Sequence, residues 1–348
     1  MSKFTTTELI TAFSKLGRQL SNPDEPLLKL INTEHIYNAW FTPENVEQAI
    51  KTIGKMLNEA DLATWLNKYD LSKNPSPKKI GLILAGNIPL VGFHDVLCVL
   101  ATGNHALIKA SVQDARLIKQ VLEMLTTIDT RFANQFSFVE RLIDFDAVIA
   151  TGSNNSSRYF EYYFGKVPNI IRKNRNSLAV ITGNETKEQL YNLGHDIFDY
   201  FGLGCRNISK ILIPKNYNLA TFFEAIEPYK DIINHNKYNN NYGYNRSIFL
   251  VGSEKHLDNN FLILKEDDSM VSPLAVLYYS YYDDLNAAEQ LITTENENLQ
   301  CVVSTVPLNV KSQVVDFGQS HQPRLWDYAD RIDTMDFLAN LHTFEVVR

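Results

Sequence analysis

The sequence predicts an α/β protein with two α/β domains, and two observations lead to this fold class. Short, continuous apolar runs, such as residues 80–85 and 146–150, are typical of strands that are covered on both faces. These runs alternate with amphipathic helical stretches, which is the pattern of a parallel sheet wrapped by helices. A chain of 348 residues is long enough for roughly two such domains.

Helical periodicity dominates the N-terminal part of the chain. Apolar residues recur at the helical period over residues 6–20, and Thr42 followed by Pro43 marks the start of a second helix. Residues 59–69 predict a third helix. The stretch Asn74-Pro75-Ser76-Pro77 then breaks any helix, and apolar runs begin after it. We therefore expect residues 1–75 to form a helical segment that packs on the domain that follows.

A nucleotide-binding domain is predicted over residues 76–200. Strands are expected at 80–85, 105–109, 146–150 and 178–182, with helices between them. Three of these strands end in polar residues: Asn87, Lys109 to Ser111, and Thr151 to Ser153. Because ligands sit at the carboxyl ends of the strands in such sheets, one ligand could contact all three. Taken singly, the same residues are a turn former, a solvated lysine and a helix cap.

A catalytic domain with a C-terminal tail is predicted over residues 201–348. Strands are expected at 208–213, 247–251, 261–265, 274–279 and 299–305, and helices near 217–227, 282–293 and 310–318. Residues 234–245 are rich in asparagine and tyrosine and predict a loop. This loop is either a lid that contacts a ligand or a solvated surface excursion.

Composition and charge exclude several classes of protein. The net charge of −7 and the lack of a long basic run argue against nucleic-acid binding. No apolar run is long enough to span a membrane, and the N-terminus lacks the pattern of an export signal. The three cysteines are too scattered for a disulfide framework or a zinc site. We therefore expect a soluble cytoplasmic protein without a structural metal.

Cys205 is the candidate nucleophile. Gly202 and Gly204 flank it and allow a sharp turn that presents the sulfur, while the positive charge of Arg206 favours the thiolate. The alternative is a small core cysteine after a helix end. Cys98 and Cys301 fall in apolar segments and are predicted to be core residues.

His195 precedes Cys205 on a predicted helix and could be proposed as a general base. Helix and turn would separate the two residues by roughly 15 Å, which is beyond hydrogen-bond reach. We therefore favour a structural role for His195.

The order of these motifs resembles the aldehyde dehydrogenase superfamily. The matching segments are Ala85-Gly86-Asn87-Ile88-Pro89-Leu90, residues 101–109 ending in Lys109, Ala150-Thr151-Gly152-Ser153, and Gly202-Leu203-Gly204-Cys205. Residues 201–207 and the tail Tyr328 to Thr334 look most like the acyl-CoA reductases related to LuxC, the luminescence fatty-acid reductase component. The resemblance implies an aldehyde dehydrogenase-like fold with a Rossmann-like coenzyme domain and a catalytic domain. It also implies Cys205 as nucleophile, Asn87 as oxyanion donor, and cofactor contacts from Lys109, Ser111, Thr151, Gly152 and Ser153.

The chain departs from the superfamily pattern at three places. Ala179 stands where hydrolytic members carry a water-activating glutamate, so an acyl-enzyme would exchange with a thiol rather than with water. Val112 stands where NAD-preferring relatives often have a glutamate, which leaves room for a 2′-phosphate. Asp268 and Ser269 fall where a glutamate contacts the nicotinamide ribose, and which of the two makes that contact stays open.

The function expected from the resemblance is reduction of an acyl-CoA, or another acyl thioester, to an aldehyde through a thioester on Cys205. NADPH is the expected cofactor, and NADH is admissible. Two alternatives stay open: an aldehyde dehydrogenase that works in the oxidative direction, and a cysteine acyl carrier or transferase without reductase activity. A homo-oligomer or an acyl-donor partner protein is compatible with the sequence.

Overall fold

The computed structural model describes residues 4–71 and 76–343. Asn74 and Pro75, on which the first predicted boundary rests, lie outside the described residues, as do Met1 to Lys3. The chain divides into two compact units. The first runs to Asn174 and includes the segment from Pro323, and the second runs from Arg175 to Gln322.

The first unit begins with four helices that share one core with a parallel sheet. Each helix starts at a capping side chain that accepts a backbone N–H: Thr5, Asp24, Thr42 and Asn58. The apolar stripes of these helices are buried in that core, as the helical periodicity predicts. The helices are α1 (Thr6–Ser21), α2 (Glu25–Thr33), α3 (Pro43–Met56) and α4 (Glu59–Leu66).

The sheet of the first unit has five parallel strands in the order β3-β2-β1-β4-β5. The chain moves outward from β1 to one side and then returns to the other side, so the order reverses between β1 and β4. In open parallel sheets this reversal opens a crevice for ligands. The strands are β1 (Lys79–Ile83), β2 (His105–Lys109), β3 (Phe136–Phe138), β4 (Ala147–Thr151) and β5 (Asn169–Arg172); the helices are α5 (Phe93–Ala101), α6 (Ala115–Ile128) and α7 (Asn154–Phe164).

The second unit is built on a seven-stranded sheet in the order β12-β11-β6-β7-β10-β9-β8. All neighbours are parallel except β8 and β9. The strands are β6 (Asn176–Val180), β7 (Ile208–Pro214), β8 (Leu257–Asp258), β9 (Ile263–Glu266), β10 (Val276–Tyr282), β11 (Leu299–Ser304) and β12 (Gln313–Val315). The helices are α8 (Lys187–Phe198), α9 (Leu219–Ile226), α10 (Asn236–Val251) and α11 (Leu285–Thr294).

The division between the units falls before β6, whereas the boundary predicted from the sequence lies at residue 200. The reason is strand pairing: β6 bonds to β7 and β11, and among the described residues it bonds to no strand of the first sheet. The final helix, α12 (Thr334–Ala339), belongs to the first unit, where Met335 and Leu338 enter the core.

Three sequence predictions are wrong in the second unit. Residues 234–245 are not a loop, and 247–251 are not a strand, because both ranges fall largely in α10. Tyr238, Tyr242 and Phe249 are buried on one side of this helix, and the two tyrosine hydroxyls are satisfied by the Phe261 carbonyl and the Asp258 carboxylate. The predicted helix over 310–318 is instead the short edge strand β12.

No described helix is long and apolar enough to cross a membrane. Among residues 4–71 and 76–343, no cluster of three or more histidine, cysteine, aspartate or glutamate side chains could hold a metal ion.

Candidate active site

The predicted cofactor residues lie at one edge of the first sheet. The last residue of β1, Ile83, is in register with Lys109 on one side and Ala150 on the other. Leu84 extends this contact by donating its N–H to the Lys109 carbonyl at 3.1 Å. The ends of β1, β2 and β4 are therefore neighbours, and the segments that carry Asn87, Ser111 and Thr151 leave the sheet at the same edge.

Two of these segments are in close contact. A Cβ on Gly86 would lie 2.4 Å from Ser111 Oγ and 2.6 Å from Ser111 Cβ, so only glycine fits. Ser111 Oγ also accepts the Gln113 N–H at 3.3 Å. The exposed side chains of Asn87 and Lys109 flank this contact in sequence.

The segment that carries Asn87 is anchored by Asp114, the residue that precedes α6. Asp114 Oδ2 accepts the Leu90 N–H at 3.0 Å, and Leu90 has a left-handed backbone with φ of 58°. Burial raises the pKa of the Asp114 carboxyl well above its ordinary value. An aspartate before a helix suggests an N-cap, yet the Asp114 side chain makes no cap hydrogen bond to α6.

Thr151, Gly152 and Ser153 connect β4 to α7. Ser153 caps α7 by accepting the Ser156 N–H at 3.2 Å. A Cβ on Gly152 would lie 2.8 Å from the Phe160 ring and 2.9 Å from Ser156 Cβ, so glycine lets the connection pack closely on the helix. The N-terminus of α7 therefore faces the carboxyl end of β4, where helix N–H groups can hold an anion.

Cys205 lies in the second unit and is exposed, whereas Cys98 and Cys301 are buried. The buried positions confirm that the last two are core residues, and burial raises the pKa of both thiols. The turn before Cys205 contains three consecutive left-handed residues: Tyr200, Phe201 and Gly202, with φ of 53°, 59° and 79°. Such conformations cost energy in residues other than glycine and cluster at functional sites.

Asn207 ties this turn to the end of α8. Its Nδ2 donates to the carbonyls of Asp196, Ile197 and Asp199 at 2.8–3.3 Å, and its Oδ1 accepts the Gly204 N–H at 2.8 Å. The Asn207 side chain is buried. Asn207 therefore links Gly204, the residue before Cys205, to the C-terminal end of α8.

Ser177 fixes the turn from the sheet side. Its hydroxyl donates to the Cys205 carbonyl at 3.0 Å and accepts the Cys301 N–H at 3.2 Å. Ser177 and Asn207 were not identified from the sequence, because a serine in a strand and an asparagine after a turn have no distinctive pattern.

Arg206 is oriented by the end of the second unit. Its guanidinium donates to Gln313 Oε1 at 3.1 Å and to the Ser320 carbonyl at 3.3 Å. Its positive charge contributes to lowering the pKa of the buried His321, although burial is the larger cause. The His321 ring packs edge-on against the ring of Tyr200, a residue of the turn, with 5.2 Å between the ring centroids.

His195 has a structural partner. Its Nδ1 lies 3.2 Å from Asp199 Oδ1, and this hydrogen bond raises the pKa of His195. The pairing supports the structural role that the sequence analysis favours.

The residues that depart from the superfamily pattern lie on three different segments of the structure. Ala179 is buried in β6, and the carboxylate of Glu185 is engaged by the N–H groups of Thr182 and Gly183. Val112, which follows β2, is 95% exposed. Asp268 and Ser269 are exposed on the segment between β9 and β10.

Comparison with solved structures shows the aldehyde dehydrogenase fold. Aldehyde dehydrogenase 21 from Physcomitrella patens is 14% identical and superposes with a TM-score of 0.67, covering 97% of this chain and 84% of that one. A NAD-dependent benzaldehyde dehydrogenase from Corynebacterium glutamicum is 11% identical with a TM-score of 0.65, covering 92% and 83%. An acetylating aldehyde dehydrogenase from Geobacillus thermoglucosidasius is 10% identical with a TM-score of 0.60, covering 93% and 86%. These likenesses confirm the predicted fold class.

No curated protein matches the chain by sequence. A family model does match: the one described as acyl-CoA reductase (LuxC) covers residues 13–220, a range that includes every predicted catalytic and cofactor-binding position from Asn87 to Cys205. The chain therefore belongs to the LuxC family of acyl-CoA reductases.

Proposed function

We propose that this protein reduces an acyl-CoA, or a related acyl thioester, to an aldehyde, with Cys205 as the nucleophile. The observation that carries the proposal is the turn around Cys205. Cys205 is exposed and follows the three left-handed residues 200–202, and the turn is anchored on both sides by Asn207 and Ser177. Strain that the surroundings fix in place is typical of functional sites.

The first step is acyl transfer to the chain. The Cys205 thiolate attacks the thioester carbonyl, and the carbon–sulfur bond to coenzyme A breaks, so that an acyl group is held on Cys205 as a thioester. We assign the role of oxyanion donor to the Asn87 amide and to the Cys205 N–H. Asp114 and Asn207 act as positioning residues for these two donors, because they hold the segments from which the donors project.

The carboxyl edge of the first sheet fits a nicotinamide dinucleotide. It combines an exposed ammonium on Lys109, the hydroxyls of Ser111 and Thr151, and the N-terminus of α7 after Gly152 and Ser153. These groups donate to phosphate and ribose oxygens, and the reversal of strand order opens a crevice beside them. When bound, a reduced nicotinamide supplies the hydride that turns the acyl thioester into a thiohemiacetal.

The thiohemiacetal on Cys205 then collapses. Its carbon–sulfur bond breaks, the aldehyde leaves and the thiolate is restored. Overall, acyl-CoA, reduced cofactor and a proton are converted to aldehyde, coenzyme A and oxidised cofactor. Hydrolysis of the acyl-enzyme is disfavoured, because β6 has no acidic side chain and Glu185 is already bonded.

NADPH is the cofactor that we propose. A carboxylate beside Lys109 would repel a 2′-phosphate, but Val112 is apolar and 95% exposed. NADH fits the same edge without the extra phosphate.

The test is NADPH oxidation over a series of acyl-CoA chain lengths, with the aldehyde trapped as product. Cys205→Ala should remove turnover, whereas Cys98→Ala, a buried position in the first unit, should keep it. Turnover retained by Cys205→Ala would refute the mechanism.

A further inference from the structure

Lys210 is a buried cation inside the second sheet. It lies on β7 in register with Leu178 and Tyr278, and its side chain has 0% relative exposure. Lysine is almost never fully buried unless its ammonium is paired, because leaving water is costly. The partners of Lys210 therefore indicate why a lysine is present there.

The ammonium binds the main chain of the segment that follows β9. Lys210 Nζ donates to the Asp267 carbonyl at 2.8 Å and to the Ser269 carbonyl at 3.4 Å. Burial lowers the pKa of Lys210, while the charge of Asp268 opposes that shift. The lysine thus holds the backbone of residues 267–269 by charge-assisted hydrogen bonds.

Two serines fix the same segment. Ser209, the neighbour of Lys210 on β7, donates to the Met270 carbonyl at 2.7 Å. Ser280 on β10 donates to the Asp267 carbonyl at 3.1 Å and lies 3.3 Å from Asp268 Oδ1. Three side chains of the sheet therefore fix residues 267–270 through their carbonyls, while the side chains of Asp268 and Ser269 stay exposed.

The residues that follow this segment in the chain come close to the turn that carries the nucleophile. A Cβ on Gly202 would lie 3.6 Å from Leu274 Cδ2, and the Leu274 carbonyl accepts Asn245 Nδ2 at 2.9 Å. Ser209 and Lys210 themselves belong to the strand that starts just after Cys205. Leu274, which follows residues 267–270 in the chain, therefore lies next to Gly202 in the Cys205 turn. Residues 267–270 themselves present an exposed carboxylate and an exposed hydroxyl.

We infer that Lys210 is a positioning residue for cofactor binding, which fixes residues 267–270 so that Asp268 and Ser269 meet the ribose hydroxyls of the nicotinamide cofactor. The inference rests on the proposed function. A carboxylate accepts hydrogen bonds from neighbouring hydroxyls, and its reach depends on a main chain that does not move. Lys210 touches neither the acyl group nor Cys205 in this scheme, so it should affect cofactor binding and not acyl transfer.

The experiment measures two steps separately in Lys210→Met and Lys210→Arg. The dissociation constant for NADPH is obtained by fluorescence titration, and acyl transfer from acyl-CoA to Cys205 is followed by mass spectrometry without cofactor. Lys210→Met should weaken NADPH binding by roughly tenfold or more, since small misplacements at a site have effects of this size. Acyl transfer should stay within about twofold of the wild type, and Lys210→Arg, which keeps the charged donor, should recover most of the affinity.

Two results would overturn the inference. One is an unchanged dissociation constant for NADPH in Lys210→Met. The other is a parallel loss of binding, acyl transfer and thermal stability that Lys210→Arg does not restore, because that outcome means a general structural role. If Lys210→Met does not fold, Ser280→Ala replaces it, since it removes a tether of the same segment with little change in volume; unchanged NADPH binding in that variant would also refute the inference.

The proposed reaction and the role of Lys210 are refuted by different results. A wild-type chain that binds NADPH but does not accept an acyl group on Cys205 would refute the reaction. The NADPH dissociation constants of the Lys210 variants would still test whether Lys210 supports cofactor binding. A wild-type chain that binds neither NADPH nor NADH would refute both.

Discussion

At the scale of single residues, Cys205 depends on neighbours that have no distinctive sequence pattern. Asn207 satisfies three carbonyls at the end of α8 and one N–H of the turn, and Ser177 bonds to the carbonyl of Cys205 itself. The glycines and the cysteine predict a turn with an exposed cysteine, and Cys205 is exposed in the structure. The anchors could not be predicted, because a hydrogen bond to a distant carbonyl leaves no periodic signal.

Asn207→Ala should loosen this turn. The variant leaves buried carbonyls and the Gly204 N–H without their partner, so the free energy of unfolding should fall by roughly 2–3 kcal/mol. Acyl transfer to Cys205 should slow as well. Urea unfolding and the acylation rate measure the two effects; Asn240→Ala, at an exposed position of α10, is the control and should stay within about 0.5 kcal/mol of the wild type.

His321 makes the stability of the second unit sensitive to acid. Burial lowers its pKa to about 4, and its Nε2 has no hydrogen-bond partner among the described residues. Because the pKa in the folded state is below that of the unfolded chain, the contribution of His321 to stability is complete above pH 6.5. It is lost as the pH falls from there towards 4.

Between pH 7 and pH 5, His321 should therefore cost about 2 kcal/mol of unfolding free energy. His321→Phe keeps a ring against Tyr200 but cannot titrate, so its stability should fall less over the same interval. Urea unfolding at the two pH values gives the difference. An identical loss in variant and wild type would show that His321 does not titrate in the folded chain.

At the scale of elements, the continuous apolar runs predict the central strands well, and the capping residues predict helix starts. Strand β2 is found at the predicted residues, and β1, β4 and β7 differ only at their ends. Helix α10 was missed because its first half is rich in asparagine and tyrosine, a composition that favours a loop, and three of its four buried residues are of these two types. Edge strand β12 was missed because a strand of three residues has almost no periodicity of its own.

The contact between the segments after β1 and β2 provides a test of the cofactor edge. Gly86→Ala would place a methyl group 2.4 Å from Ser111 Oγ, so the two segments must separate. The dissociation constant for NADPH should rise by roughly tenfold, as expected for donors displaced from their ligand. Gly243→Ala is the control, because a Cβ there meets nothing within 4 Å and alanine favours the α10 helix. Unchanged NADPH binding in Gly86→Ala would remove this edge from the proposed cofactor site.

At the scale of the whole molecule, a segment near the end of the chain belongs to the same unit as its beginning. The segment from Pro323 returns to the first unit, where Tyr328 accepts the Trp65 Nε1–H at 2.7 Å and Thr334 accepts a bond from Arg172 at 3.0 Å. No local pattern could predict this return, because it depends on contacts between residues far apart in sequence. The motif order from Asn87 to Cys205, by contrast, predicts the aldehyde dehydrogenase superfamily, since each motif is short and local. Residues 201–207 and the tail Tyr328 to Thr334 predict the LuxC family within it.

The central claim is that Cys205 holds an acyl group that is then reduced. The most direct measurement is the intact mass of the chain after incubation with acyl-CoA without cofactor, followed by peptide mapping and then by addition of NADPH. The account predicts one acyl adduct on the peptide that contains Cys205, none in Cys205→Ser, and loss of the adduct as aldehyde once NADPH is added. An adduct on another residue, or aldehyde formation by Cys205→Ser, would contradict it.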